Sequence, residues 1–156
     1  MSKMIALIGA AVFLCAGCYL LGERPTQTRA IVLSFAAADR ESKRSLSTND
    51  APVQEALRIV DAVLVSDGYG PNTNRVGGNA PGFVISYAKY DTNGMSVACE
   101  PDVYLEDRRL GIAFAELGNR TGHFSPPTQK AFNSLRKELS NRFGARRVEV
   151  LKPPGG

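Results

Sequence analysis

Apolar residues recur at helical spacing in two parts of the chain and predict two helices. In residues 53–65, the apolar positions on one face of a 3.6-residue repeat are Val53, Leu57, Val60 and Leu64. In the second segment, the matching positions are Phe132, Leu135, Leu139 and Phe143. Each segment therefore has one apolar face, which needs another layer of structure to bury it.

Capping residues mark where these helices begin and end. Asp50 and Ser125 precede the two segments, and both side chains are typical of N-caps. Pro52 and Pro126 follow at first-turn positions, where a proline is tolerated because the N–H groups there have no partner within the helix. Gly144 stands where the second stripe stops and predicts the end of that helix.

Shorter apolar runs predict strands, which we place at residues 30–38, 83–90, 95–99, 110–117 and 148–151. Asn93-Gly94 predicts a tight hairpin turn between two of them, because this pair adopts the positive φ angles of a type I′ turn. Pro101 predicts an interruption of the third strand, since proline cannot donate to a ladder. Residues 103–105 are expected to resume that strand, and residues 106–109 to form a second turn.

The resulting order, β-α-β-β-β-α-β, predicts a single α+β domain over residues 30–152 and a frayed tail over residues 153–156. Two helices with one apolar face each need a sheet to cover. We therefore expect a two-layer sandwich with both helices on one face of an antiparallel sheet, a variant of the ferredoxin-like fold. The other sheet face is then left to solvent or to a partner.

The chain begins with the parts of a secretory signal. Lys3 supplies a positive start, residues 4–14 are uncharged and apolar, and small residues precede Cys18. The run Cys15-Ala16-Gly17-Cys18 resembles the lipobox of bacterial lipoproteins, in which two small residues precede the cysteine that is lipidated. The family usually has Leu where this chain has Cys15, and Leu14 lies one position earlier. The resemblance covers the signal alone and carries no information on the folded domain.

The resemblance implies a signal peptide over residues 1–17 and a mature chain that starts at Cys18 and carries acyl chains such as palmitate. It further implies a membrane-anchored protein of the bacterial cell envelope that faces the periplasm. Tyr19 rather than Asp follows the anchor, which in lipoproteins of enteric bacteria implies sorting to the outer membrane. Residues 18–29 lack a repeating apolar pattern and are expected to form a tether.

Two other fates of the N-terminus stay open. Residues 4–21 are 18 uncharged residues, and a helix of that length spans about 27 Å, close to the thickness of a hydrocarbon core. The signal would then be retained as an uncleaved membrane anchor. Alternatively, a general signal peptidase cuts the chain and releases the domain from the membrane.

Cysteine and histidine usage argues against catalysis. Cys15 leaves with the signal and Cys18 carries lipid, so Cys99 is left alone and no internal disulfide forms. Cys99 follows apolar residues and is expected to be buried in a strand. His123 is the single histidine; a Cys99–His123 nucleophile pair lacks an evident orienting group, and zinc needs more ligands than these two. We predict a non-enzymatic protein without a metal or cofactor.

Charge is unevenly distributed along the chain. The net charge of +4 at pH 7 is mild and implies no nucleic-acid partner. The region of the second helix carries six basic residues that we take as candidate contacts to an acidic envelope protein or anionic lipid: Lys130, Arg136, Lys137, Arg142, Arg146 and Arg147. Glu138 and Arg142 have the spacing of a helical ion pair. Carboxylates at Glu100, Asp102, Glu106 and Asp107 are expected to lie around turns in solvent.

These features favour a lipoprotein that acts without catalysis, as an interaction, assembly or protective module of the envelope. A small envelope enzyme and a lipid or glycolipid carrier that uses the open sheet face are the alternatives. Residues 66–82 form a long Gly-, Asn- and Pro-rich loop suited to a partner contact, because loops of this length are uncommon unless functional or disordered. A phosphate-binding loop is disfavoured there, since such loops follow a strand and precede a helix.

Overall fold

The computed structural model describes residues 26–35, 45–73, 80–92, 94, 97–119 and 121–151. The predicted signal, Cys18 and the residues up to 25 lie outside this part of the chain. The elements in chain order are β1 (Thr26–Ser34), α1 (Ala51–Ser66), β2 (Gly70–Pro71), β3 (Phe83–Tyr90), β4 (Val97–Glu106), β5 (Arg109–Leu117), α2 (Pro126–Phe143), a 3-10 turn (Ala145–Arg147) and β6 (Val148–Leu151).

The strands form one six-stranded sheet in the order β2-β3-β4-β5-β1-β6, and neighbouring strands are antiparallel. The first strand of the chain lies between the last two, where it pairs with β5 from Thr26 opposite Leu117 to Ser34 opposite Arg109. On its other side, Leu33 lies opposite Val148 of β6. The predicted α+β class and antiparallel sheet are confirmed.

Alternation along β1 shows how the two layers are built. Ile31 and Leu33 point into the main core, to which both helices contribute, whereas Ala30 belongs to a small cluster on the other face. The predicted helical stripes are confirmed at Val53, Val60, Leu64, Phe132, Leu135 and Leu139, which are buried, while Leu57 and Phe143 are partly buried against the same core. Both helices therefore cover the same face of the sheet, because they share one core.

β4 runs straight through Pro101, contrary to the predicted interruption. The pairing with β5 continues, with Pro101 opposite Phe114. On the other side, Asp102 lies opposite Ser86 of β3 and Cys99 lies opposite Lys89, in the same register. A missing N–H removes at most one ladder bond, and the neighbouring pairs hold the strand on both sides. An isolated proline was therefore too weak a signal to end this strand.

The uninterrupted strand overturns the expectation that Glu100 and Asp102 lie in solvent around turns. Both sit in the middle of β4, on the face opposite the helices, and their exposed fractions are 3% and 1%. Val32 and Ala113 on this face are buried as well. These positions of the second sheet face thus do not present an open surface.

Other boundaries differ from the predictions: the predicted loop of residues 66–82 contains the short strand β2, which pairs with β3. β1 begins at Thr26, four residues before the predicted start, and so includes the last residues of the predicted tether. A turn follows β3 as predicted, but the Gly94 N–H donates to the Asp91 carbonyl at 2.9 Å, so Gly94, with φ of +67°, is the fourth residue of this turn and not one of its central pair. In the second hairpin, Asp107 adopts φ of +52°, which Asp tolerates better than most residues.

The domain has two distinct ends. Lys89 lies opposite Cys99, Cys99 opposite Glu116, and Glu116 opposite Gln27, so one row of residues crosses four strands near Thr26. We call this the Thr26 end. The Phe35 end lies opposite, where the ring of Phe143 at the last turn of α2 contacts the ring of Phe35 with 5.9 Å between centroids. β1 has nine residues, so the ends are about 27 Å apart at ~3.4 Å per residue.

We predict that Gly82→Ala destabilises the domain more than Gly118→Ala does. Both glycines have φ of +75°, so each substitution loses about 1–2 kcal/mol to the left-handed backbone. At Gly82 the new Cβ would also lie 2.5 Å from the Leu105 carbonyl oxygen, whereas nothing lies within 4 Å at Gly118. Urea unfolding of the two variants checks this, and equal losses would show that the close approach of β4 is unimportant.

Candidate functional site

The N-terminus of α2 is organised by a buried carboxylate from the sheet. Glu116 lies near the end of β5 and is 6% exposed. Its Oε2 accepts the Ser125 backbone N–H at 2.8 Å and the Asn119 Nδ2 at 2.6 Å. Its Oε1 accepts from the Ser125 hydroxyl and from Thr128 Oγ1, the latter at 2.7 Å. Four donors from the loop and the first turn of α2 thus converge on one side chain.

This arrangement corrects the predicted role of Ser125. Ser125 does occupy the N-cap position of α2, but its side chain makes no capping hydrogen bond. It donates to Glu116 instead, and Glu116 places the negative charge at the helix N-terminus. A carboxylate there is stabilising because it faces the positive end of the helix dipole.

The environment lowers the pKa of Glu116. Burial alone would raise it, but the hydrogen bonds from Ser125, Asn119 and Thr128 favour the charged form and bring the pKa below its usual value of 4.5. Both oxygens accept from protein donors, and the group stays ionised at neutral pH. Glu116 is therefore suited to hold the loop and helix together rather than to exchange a proton with a substrate.

A cleft of about 470 Å³ opens beside this network at the Thr26 end. Its lining is mostly apolar, with Ala98, Leu117, Phe124 and Pro126, and the polar groups of Asn119 and Thr121 stand at its edge. Asn119 already donates to Glu116, and Thr121 Oγ1 donates to the His123 carbonyl at 3.0 Å. The cleft thus offers apolar surface with few uncommitted polar groups.

Cys99 and His123 are not brought together as a nucleophile pair. Cys99 is 1% exposed, as predicted, and burial raises the pKa of its thiol to about 12, so the thiol is protonated at neutral pH. His123 is exposed in the loop before α2. Within the part of the chain that the structure describes, no hydrogen bond joins these two side chains.

The six predicted basic contacts fall into two groups. Two of them are tied to acids of α1 and the residue after it: Lys130 Nζ lies 3.0 Å from Asp67 Oδ1, and Arg142 Nε lies 2.6 Å from Glu55 Oε1. Over the described residues, the others are exposed and make no ion pair, namely Arg136, Lys137, Arg146 and Arg147. Of the six predicted contacts, four are thus exposed without an ion pair among the described residues, and two are committed to internal pairs.

The partner of Arg142 differs from the one the helical spacing favoured. Glu138 was expected to pair with Arg142, but Glu55 on the neighbouring helix does so, and this hydrogen bond lowers the pKa of Glu55. Helix α1 runs antiparallel to α2, which brings the first turn of one beside the last turn of the other. Sequence spacing within one helix carries no information about such a neighbour.

Two buried acids of β4, Glu100 and Asp102, accept hydrogen bonds on the sheet face opposite the helices, where the sequence pattern did not predict them. Glu100 Oε1 accepts from Asn72 Nδ2 at 2.6 Å and from Ser86 Oγ at 3.5 Å. Tyr104 OH donates to Asp102 Oδ2 at 3.5 Å. Alternation along the strand would have predicted a shared face for all three β4 residues, had the strand been extended through Pro101.

Comparisons with known proteins add no family assignment, since no family model matches the chain and no curated protein shows significant similarity to it. Among the described residues, no helix has the length and apolar character needed to cross a membrane. The same residues contain no group of three or more His, Cys, Asp or Glu side chains placed to hold a metal ion.

We expect Glu116→Gln to lower the free energy of unfolding by about 1–3 kcal/mol at pH 7, because the charged hydrogen bonds to Ser125 and Thr128 are replaced by weaker ones. A carboxylate with a lowered pKa in the folded state stabilises the protein above its usual pKa of 4.5. That contribution is lost as the pH falls below this value.

The Gln variant should therefore lose less stability than the wild type between pH 5 and pH 3. Chemical denaturation at several pH values measures this, with Glu138→Gln as the control that removes an exposed acid from α2. Identical pH profiles for wild type and Glu116→Gln would contradict the role given to Glu116.

Proposed function

We propose that this protein is a bacterial envelope lipoprotein, anchored through acyl chains on Cys18, that acts as a non-catalytic interaction or assembly module. The observation that carries the anchoring is the N-terminal sequence, in which an uncharged apolar run leads to Ala16, Gly17 and Cys18. Two acyl chains suffice for stable attachment, at ~0.8 kcal/mol for each buried CH2 group. The periplasmic side of the outer membrane is the proposed location.

The interaction role rests on the four exposed cations of α2 and the turn that follows it. Arg136 and Lys137 lie in the middle of the helix, and Arg146 and Arg147 follow Gly144 at the Phe35 end. No acid of the described chain neutralises them. Exposed arginines bind carboxylates in bidentate geometry, so an acidic envelope protein is the partner that this surface suits best.

The finer assignment of the fold is also a proposal. Two helices on one face of an antiparallel sheet support a ferredoxin-like variant. Other antiparallel two-layer folds have the same layers but connect their strands in a different order. The pairing of β1 with β5 is the feature to compare among them.

The mature N-terminus provides the first test of the proposed function. We expect the protein purified from a bacterial envelope to have an intact mass that corresponds to residues 18–156 plus acyl groups. Cys18→Ser should abolish the added mass and release the protein from the membrane fraction. A mass that includes Met1 would contradict processing at Cys18 and favour the retained anchor.

Removal of exposed cations tests the interaction role. We predict that Arg146→Gln/Arg147→Gln weakens binding to the acidic partner about tenfold at physiological salt, equivalent to ~1.4 kcal/mol. Lys130→Gln/Arg142→Gln removes the same charge from cations that are already paired and should have a smaller effect on binding. Crosslinking in intact envelopes identifies the partner, and titration of the purified pair measures the affinity. A larger loss from the paired set would overturn the assignment.

A further inference from the structure

Two large apolar side chains stand exposed at the same end of the domain. Val65 and Tyr90 are each 51% exposed, and they are the exposed large hydrophobic residues recorded in the described part of the chain. Val65 lies in the last turn of α1, and Tyr90 ends β3. Lys89 Nζ donates to the Asp67 carbonyl at 2.7 Å, which ties the end of β3 to the end of α1.

These residues lie at the Thr26 end, where the predicted tether enters the domain. Tyr90 lies at the same end of the strands as Thr26, and β3 is three strands away from β1. The two residues are therefore about 14 Å apart, at ~4.8 Å per strand. Seven residues, numbers 19–25, separate Cys18 from Thr26. An extended chain of that length reaches at most about 29 Å, so an anchor at Cys18 keeps this end of the domain close to its membrane.

Physical properties of the two side chains match a membrane surface. Tyrosine is enriched at membrane interfaces because its ring is apolar and its hydroxyl is polar. Val65 adds apolar area at the same end, whereas Lys130 there is already paired with Asp67, so the contact is mainly apolar. Anionic headgroups attract cations within about a Debye length of the surface, ~8 Å at physiological salt.

We propose that the Thr26 end of the domain rests on the phospholipid surface, with Val65 and Tyr90 at the level of the headgroups. This inference rests on the proposed lipid anchor and adds the orientation of the domain. Arg146 and Arg147 at the Phe35 end then lie about 27 Å from that surface, several Debye lengths away. They face the periplasm, where an acidic protein rather than the anchoring membrane reaches them.

The absence of tryptophan from the sequence makes the orientation measurable. Full-length, acylated protein is reconstituted into vesicles of phosphatidylethanolamine and phosphatidylglycerol with brominated acyl chains, which quench nearby tryptophan. Tyr90→Trp and Val65→Trp report on the Thr26 end, and Arg146→Trp reports on the Phe35 end. Circular dichroism checks that each variant is folded, and two probes at the Thr26 end guard against failure of one.

We expect brominated lipid to quench the probes at positions 65 and 90 roughly twofold or more, because interfacial side chains lie ~5–10 Å into the headgroup region. The probe at position 146 should be unaffected by lipid and quenched by acrylamide from the aqueous phase. Quenching at position 146 alone, equal quenching at all three positions, or none at any position would overturn the orientation.

Failure of the anchor is distinguished from failure of the orientation by sedimentation of the same samples. Protein that does not sediment with vesicles refutes the lipid anchor and the orientation together. Protein that sediments but leaves the probes at positions 65 and 90 unquenched refutes the orientation and leaves the anchor standing. Tyr90→Asp in the acylated protein supplies a second readout, since it should restore acrylamide access at the Val65→Trp probe.

Discussion

The position of α2 depends on the carboxylate of Glu116, which extends from β5 and accepts hydrogen bonds from the N-terminal turn of the helix. Glu116 is buried, so its charge is acceptable only because Ser125, Thr128 and Asn119 donate to it. These bonds fix the first turn of α2 against the end of β5. The rotation of the helix about its axis follows from that contact together with the buried stripe at Leu135 and Leu139. The contact with Glu116 therefore helps to determine which side of α2 faces outward.

That rotation decides which cations of α2 face the acids of α1 and which face outward. Helix α1 lies beside α2 in antiparallel orientation, and it brings Glu55 to Arg142 at one end and Asp67 to Lys130 at the other. Such exposed pairs contribute little to stability. Their larger effect is on recognition, because they neutralise the flank that faces α1 and leave Arg136, Lys137 and the arginines after Gly144 uncompensated.

The sequence predicted the parts of this structure that depend on local or periodic signals. The stripes from Val53 and Phe132 gave both helices, and residues 83–90 were bounded correctly as a strand. The errors arose where tertiary partners override a local rule: β4 passes Pro101 because its neighbours keep it in register. That single error also hid the burial of Glu100 and Asp102. Glu116 was missed because its donors come from a loop and a helix that sequence alone cannot place beside it.

The point at which the proposed tether joins the sheet determines which end of the domain lies nearest the proposed anchor. β1 is the second strand from one edge of the sheet, between β5 and β6, so the proposed tether attaches off-centre at the Thr26 end. Tyr90 lies three strands to one side of this attachment, so its contact with the membrane in the proposed orientation would add a second point of support and restrict tilting. In the proposed orientation, the antiparallel packing of α1 and α2 directs the start of α1 and the arginines after α2 away from the membrane. The proposed membrane contact and the exposed arginines thus lie at opposite ends of the domain, because the topology separates them by the length of a strand.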